Sequence, residues 1–440
     1  MSASSIRQIF TSLFWKNPIF FFLIKWLFIS AVIGLLVGSA SAFFLVSLEW
    51  ATNWRESHVW IIALLPVGGF CIGCLYYYFG KDVEAGNNLI LENIHSPSRI
   101  IPFKMAPWVL IGTIATHFFG GSAGREGTAL QIGASISDQL TRLFRLRSRD
   151  RKLILIAGIA AGFGSVFGTP MAGAVFGLEV FLLGRLQYDA ILPAFAASVS
   201  ADMTTTAWGV GHTQYQIPFV PELSVSFVIY AILAGGLFGL CSIVFSELTH
   251  KIGVVLKSKI KFPPFRPVVG GIVVAVAVFA IGTTKYIGLG VPTIVDAFSM
   301  DLPAYDFLVK IIFTAVTLGA GFKGGEVTPL FFIGATLGNA LSYVLPLPTG
   351  LLAGMGFVAV FAGATNTPLA CTIMALELFG VECGPYIAIA CVIAYLFSGH
   401  RGIYGSQIIG QSKHLIYRDE EGKSISSLKN RVRKRKAGKA

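Results

Sequence analysis

Charge is scarce in this chain. Only 13% of its 440 residues are Asp, Glu, Lys or Arg, where soluble domains carry about 25%. So few charges cannot clothe the surface of a water-soluble protein of this length, and a mean hydropathy of +0.72 agrees. Cysteine is sparse too: the six, at 71, 74, 241, 371, 383 and 391, fall mostly in apolar runs, where a thiol behaves as a small hydrophobe. Cys71-x-x-Cys74 has redox or zinc spacing, but no second ligand pair follows. The seven histidines show no ligand pairing either, so no metal and no cofactor is expected. An N-terminal apolar region ending in a small-residue cleavage site is also lacking, which reads as an uncleaved membrane protein. An intramembrane enzyme remains a different class of reading, since Ser, His and acids lie within apolar sequence. No His-x-x-x-His pair, paired Asp motif or Gly-x-Ser-x-Gly elbow is taken to support it.

What the chain has instead is long apolar runs. Residues 27–48, 59–80, 153–183, 225–245 and 351–379 are among them, too long and numerous for one soluble core. At about 20 residues per crossing, the length accommodates on the order of 10 to 14 membrane helices. The net charge is +12, and basic residues cluster in short segments at 142–152, 251–266 and 423–439. That distribution argues against nucleic acid and for cytoplasmic loops. It gives a cytoplasmic C-terminus; Arg7 and Lys16, with no acid before Glu49, give a cytoplasmic N-terminus and an even number of crossings.

An internal repeat organises the rest. Residues 161–181 echo 359–379 at an offset of 198, with Thr-Pro and Leu-Glu in register, and Ile132-Gly133-Ala134 returns as Ile333-Gly334-Ala335 at an offset of 201. Two repeats of about 200 residues, each with a Gly-rich break before a helix, match transporters whose broken helices meet at the membrane midplane. The Thr-Pro pairs at Thr169 and Thr367 read as helix breaks. The most informative loop is Gly120-Gly121-Ser122-Ala123-Gly124-Arg125-Glu126-Gly127-Thr128. Its glycines let backbone N–H groups converge at a helix start, where the dipole attracts anions. Glu126 would sit there as a tethered anion that leaves when protonated.

Gly124-Arg125-Glu126-Gly127-Thr128 resembles the Gly-Arg-Glu-Gly-Pro motif of the CLC chloride channel and transporter family. Three further motifs agree in order and spacing. Gly325-Glu326-Val327-Thr328-Pro329 is similar to Gly-x-Phe-x-Pro, Ile403-Tyr404-Gly405 falls at the family's anion-site tyrosine, and Gly86-Asn87-Asn88-Leu89-Ile90 occupies the place of Gly-Ser-Gly-Ile-Pro. The similarity spans roughly residues 25 to 410. Asn87 replaces the serine of the chloride-selective branches, Val327 replaces the phenylalanine, and Val180 stands where chloride antiporters carry a proton-relay glutamate. This combination resembles the fluoride/proton antiporter branch, CLC-F. The chemistry is coherent: fluoride is small and strongly hydrated, and the Asn87 amide offers two N–H donors where serine offers one hydroxyl.

The resemblance implies an all-α polytopic membrane protein of two homologous, inverted halves with broken helices meeting at a central anion site. Its implied parts are a cytoplasmic segment 1–24, a transport domain 25–410 with halves 25–210 and 220–410, and a solvated basic tail 411–440 that touches lipid. The tail leaves no room for paired regulatory domains. Fluoride/proton antiport at the cell membrane by a homodimer is the implied function; a chloride/proton antiporter or chloride channel is the nearer alternative. Glu126 is the expected proton-carrying gate and Glu326 a second acid for coupling. Asn87, Tyr404, Gly127, Val327 and Thr328 are the expected anion-site residues. Plainer readings stand beside these: Glu126 as a cap on its own loop, Asn87 as a helix N-cap, Glu326 as partner of a basic or hydroxyl group, Tyr404 as an interfacial aromatic. Arg125 reads as a structural bond to loop carbonyls. Glu179 and Glu377, at matching repeat positions, read as structural bonds to neighbouring helix ends.

Overall fold

The structure is a computed structural model describing residues 18–96 and 99–428. Most of the expected N-terminal segment and the end of the basic tail lie outside the described residues. The first half comprises α1 (Pro18–Ser57), α2 (Leu65–Phe79), α3 (Asn87–His95), α4 (Met105–Phe118), α5 (Glu126–Leu143), α6 (Ser148–Phe167), α7 (Pro170–Glu179) and α8 (Ile191–Ala207). The second half follows the same order: α9 (Val225–Lys259), α10 (Phe265–Ile281), α11 (Val291–Asp296), α12 (Asp306–Gly319), α13 (Val327–Leu341), α14 (Thr349–Thr365), α15 (Pro368–Phe379) and α16 (Gly384–Phe397). Packing repeats as well: α1 lies on α8 and α5 on α6, as α9 lies on α16 and α13 on α14.

The long apolar runs do not become uniform spans. Among the described residues three helical stretches, Ile19–Ser57, Val59–Phe79 and Val225–Lys259, are long and apolar enough to cross a membrane by length and composition. Many others are shorter, because glycine and proline end them. Run 153–183 breaks where Gly168 turns left-handed (φ 69°) and Pro170 restarts the chain as α7. Run 351–379 breaks in the same way at Asn366 (φ 61°) and Pro368. At 1.5 Å per residue, α7 spans only ~15 Å, half a hydrocarbon core. Such ends are tolerated within a membrane only where protein groups or a water-filled cavity satisfy their free backbone donors and acceptors.

Polar bonds show that the halves are inverted. Glu179, ending α7, accepts hydrogen bonds from Leu369 and Ala370 N–H at the start of α15 (3.2 and 2.9 Å). Glu377, near the end of α15, accepts from Met171 and Ala172 N–H at the start of α7 (2.9 and 2.7 Å). Two equivalent helices that each cap the other's N-terminus run antiparallel, so equivalent segments cross in opposite directions. The repeat-mates Phe163 and Phe361 stack at 6.2 Å and 15° between the halves. Both glutamates therefore take the helix-end role expected of them.

Close helix crossings depend on glycine. A Cβ on Gly334 of α13 would lie 2.0 Å from the Gly356 carbonyl oxygen of α14, and a Cβ on its counterpart Gly133 would lie 2.2 Å from that of Gly158. Small residues give membrane helices their close approach. Gly334→Ala is expected to destabilise the protein by about 1–3 kcal/mol through overpacking. Thermal unfolding in detergent checks it, and an unchanged transition would mean that the crossing relaxes freely.

The described part of the tail is mostly exposed, as expected of a solvated chain, but it is tied to the helical body at Ser424 and Ile425. Strand β1 (Leu182–Leu183) pairs in parallel with β2 (Ile408–Ile409), and Ile408 bridges to Ser424. Ile425 is buried, and its N–H donates to Gln407 O at 3.1 Å. Residues 404–426 thus fold back as a strap on the helical body.

Candidate functional site

The two Gly-rich loops meet at the centre of the molecule. Gly124 and Gly325, equivalent in the two repeats, exchange N–H to O=C bonds of 2.6 and 2.7 Å in an isolated antiparallel bridge. That bridge sets the N-termini of α5 and α13 side by side. No side chain fits between them: a Cβ on Gly325 would lie 2.7 Å from Gly127 N, and one on Gly127 would lie 3.0 Å from Gly325 Cα and 3.2 Å from Asn87 Nδ2. Orphan N–H donors and both helix dipoles converge here, which is the requirement for holding an anion without bulk water.

The anion in that position is the Glu126 carboxylate, fully buried. It accepts from Thr328 N–H at 3.0 Å, and the Thr328 hydroxyl lies 2.7 and 2.6 Å from its two oxygens. These donors belong to the other half, so Glu126 does more than cap its own loop, although Arg125 N–H also donates to it at 3.2 Å. Arg125 Nε lies 3.5 Å from Glu126 Oε1 and makes no aligned hydrogen bond among the described residues. The expected bonding of the Arg125 side chain to loop carbonyls is not seen among the described residues. Thr328, expected to line the anion path, holds the Glu126 carboxylate in this structure.

Asn87 and Tyr404 come together separately. They line one cavity of about 10 Å³ with Ile90, Leu130, Phe176 and Val180. That is close to the space of a single water molecule. Gly86 takes the N-cap of α3 with φ 56°, and no side chain caps the helix, so Asn87 is not an N-cap. Asn87 Oδ1 and the Tyr404 hydroxyl are buried with no hydrogen-bond partner among the described residues. Buried polar groups left unpaired are rare and need an explanation; a water entering the cavity would satisfy both, whereas an anion would accept from the Tyr404 hydroxyl and need the Asn87 amide turned to present its N–H donors. Tyr404 is only 3% exposed and is not an interfacial aromatic.

Val327 is fully buried at the first turn of α13, the repeat counterpart of Glu126. The site is therefore asymmetric, with one carboxylate serving two helix ends. Glu326 is half-buried at the N-cap of α13, and its carboxylate makes no ion pair or hydrogen bond among the described residues. Its reading as partner of a basic or hydroxyl group gains no support. Tyr404 lies within electrostatic reach of both Glu326 and Glu126.

Sequence reasoning passed over parts of the surroundings. Gly120-Gly121-Ser122-Ala123-Gly124 has the spacing of a nucleophile elbow, yet Ser122 Oγ is bound to Thr314 Oγ1 at 2.9 Å and no base reaches it among the described residues. The ring nitrogens of buried His117 lie 2.9 and 3.0 Å from Thr113 O and Ala123 O, bracing the loop. Lys310, also buried, donates to Tyr286 and Gly288 carbonyls at 3.1 and 2.9 Å. Neither residue lies in a motif that points to such bracing.

Inverted halves of broken helices around buried, dipole-aligned donors define a membrane ion-transport protein. Residues 68–399 match the family described as "Voltage gated chloride channel". The chain is 56% identical over 399 residues to a chloride/fluoride channel protein of Pseudomonas syringae pv. tomato, covering 89% of this chain and 88% of that relative. The chain therefore belongs to the voltage-gated chloride channel, or CLC, family. Its structure is similar to the crystal structure of a CLC-type fluoride/proton antiporter, with a TM-score of 0.86, 33% identity, and coverage of 89% of this chain and 99% of the other. A slow cyanobacterial Cl−/H+ antiporter shares the fold at a TM-score of 0.76 and 18% identity, over 85% and 94% of the two chains.

Proposed function

We propose that this protein is a fluoride/proton antiporter that moves fluoride out of the cytoplasm in exchange for protons. The observation that carries the reading is the Glu126 carboxylate held by Thr328 donors at the junction of the two halves. Ionised, it competes with a transported anion for those donors; protonated, it loses its claim on them and swings out with its proton. The names of the relatives already described, a chloride/fluoride channel protein and a CLC-type fluoride/proton antiporter, support the same reading.

Fluoride then rests between Asn87 and Tyr404, with the backbone around Gly127, Val327 and Thr328 lining its path toward the gate. Fluoride is about the size of water, so a one-water cavity suits it better than the larger chloride. Val180 leaves no acid at the position of the chloride antiporters' relay glutamate. Glu326, within reach of Tyr404, takes the place of that second acid. The protein works as a homodimer with one pathway per subunit, in the cell membrane, with both termini in the cytoplasm.

Selectivity tests the reading. Purified into liposomes, the protein is expected to release fluoride far faster than chloride. Asn87→Ser removes one N–H donor from the site, and the fluoride-to-chloride rate ratio should fall by about tenfold, the worth of one hydrogen bond. Equal rates for the two anions in the unmodified protein would favour a general chloride transporter.

A further inference from the structure

We propose that Gln407 is a positioning residue that sets the width of the Asn87–Tyr404 cavity by tying its walls to both halves of the protein. The inference rests on the anion-site reading above and extends it to a residue that touches no anion.

Gln407 is fully buried three residues after Tyr404. Its amide nitrogen donates to Val180 O at the end of α7 (2.7 Å) and to Thr365 O at the end of α14 (3.0 Å). Its amide oxygen accepts from Asn366 Nδ2 at 2.9 Å, and its backbone N–H donates to Tyr404 O at 3.2 Å. Both amide hydrogens and the carbonyl are thus used, so the side chain has one satisfied orientation. Val180 belongs to the first half, Thr365 and Asn366 to the second, and Tyr404 to the strap. Val180 and Tyr404 both line the cavity. One side chain therefore fixes the separation of two cavity walls relative to the junction of the repeats.

In a cavity with room for about one water, a small displacement of the Tyr404 hydroxyl decides whether a small anion is fully ligated. Loss of the Gln407 bonds should release the Tyr404 turn, loosen ligation of the small anion and admit the larger one. A residue that served stability alone would lower yield or turnover without altering the choice between anions.

The test compares wild type, Gln407→Met, Asn366→Gly and Asn339→Leu in full-length protein reconstituted in liposomes, using fluoride and chloride as probes. Methionine keeps the volume and removes every side-chain bond; glycine keeps the left-handed backbone at 366 and removes one of them. Asn339 is the control, a buried amide that bonds Ala297 O, Met300 O and Leu302 N–H away from the cavity. Gln407→Met is expected to raise the half-saturating fluoride concentration and to lower the fluoride-to-chloride ratio, each by about tenfold, with maximal rate changing less. Asn366→Gly should shift both in the same direction by a smaller factor, and it carries the test alone if Gln407→Met does not fold. Asn339→Leu should lower thermal stability and leave both quantities unchanged. Unchanged half-saturation and ratio in the Gln407 and Asn366 variants would overturn the proposal, as would an equal shift in Asn339→Leu. A wild type without fluoride preference would count against the fluoride reading itself, and half-saturation by either anion still reads the role of Gln407.

Discussion

Glu126→Gln is expected to reduce proton movement coupled to fluoride to the background of empty liposomes while the protein still purifies folded. Two donors from Thr328 and one from Arg125 N–H hold the carboxylate across the junction of the halves. Hydrogen bonds to a charged group contribute about 1.5–3 kcal/mol each. That contribution is present when Glu126 is ionised and largely lost when it is protonated, which makes protonation the event that frees the group. An amide has one fixed charge state and cannot alternate between them. It is nearly isosteric, so the fold should survive. Coupled proton flux that persisted in Glu126→Gln would assign the carrier to another residue, with Glu326 the first to test.

Glu326→Gln is the second substitution with a large expected effect. A half-buried acid whose carboxylate makes no ion pair or hydrogen bond among the described residues, at the N-cap of a helix inside a membrane protein, is costly to keep and is by default functional. Removing its ability to carry a proton should slow proton-coupled fluoride transport by about tenfold or more, equivalent to ~1.4 kcal/mol. Pulse-driven fluoride uptake measured beside proton uptake, with size-exclusion chromatography to confirm assembly, gives the answer. Normal fluoride and proton fluxes in this variant would assign Glu326 to structure.

Much of this arrangement was legible in the sequence, and the rest was hidden for identifiable reasons. The 201-residue echo and the Thr-Pro pairs foretold the repeated halves and the breaks at Gly168 and Asn366, because proline and left-handed residues act on local backbone alone. The glycine loop before Glu126 foretold the convergence of helix ends for the same reason. Thr328 as the holder of Glu126 was not legible: the two residues are 202 positions apart, and only the Gly124–Gly325 bridge aligns them. The brief length of α7 escaped a reading that counted about 20 residues per crossing, since apolar content does not tell lipid-facing from protein-facing sequence. The strap escaped the reading because the basic run that follows it, from Lys429 to Lys439, set the character of the tail, and Ile408, Ile409 and Ile425 are too few apolar residues to form a pattern. Gln407 carries no signal in sequence; its meaning lies wholly in the three chain segments it joins.

Whether protons drive fluoride through this protein decides between an antiporter and a passive anion conductor. Liposomes containing the wild-type protein, with equal fluoride on both sides, receive an acid step outside, and fluoride inside is followed with a fluoride-selective electrode after detergent release. Exchange predicts that protons enter as fluoride leaves against its growing gradient, that the movement disappears in Glu126→Gln, and that chloride in place of fluoride gives little response. Fluoride that only relaxes along its own gradient, with no net movement after the pH step, would contradict the account and identify a passive anion conductor.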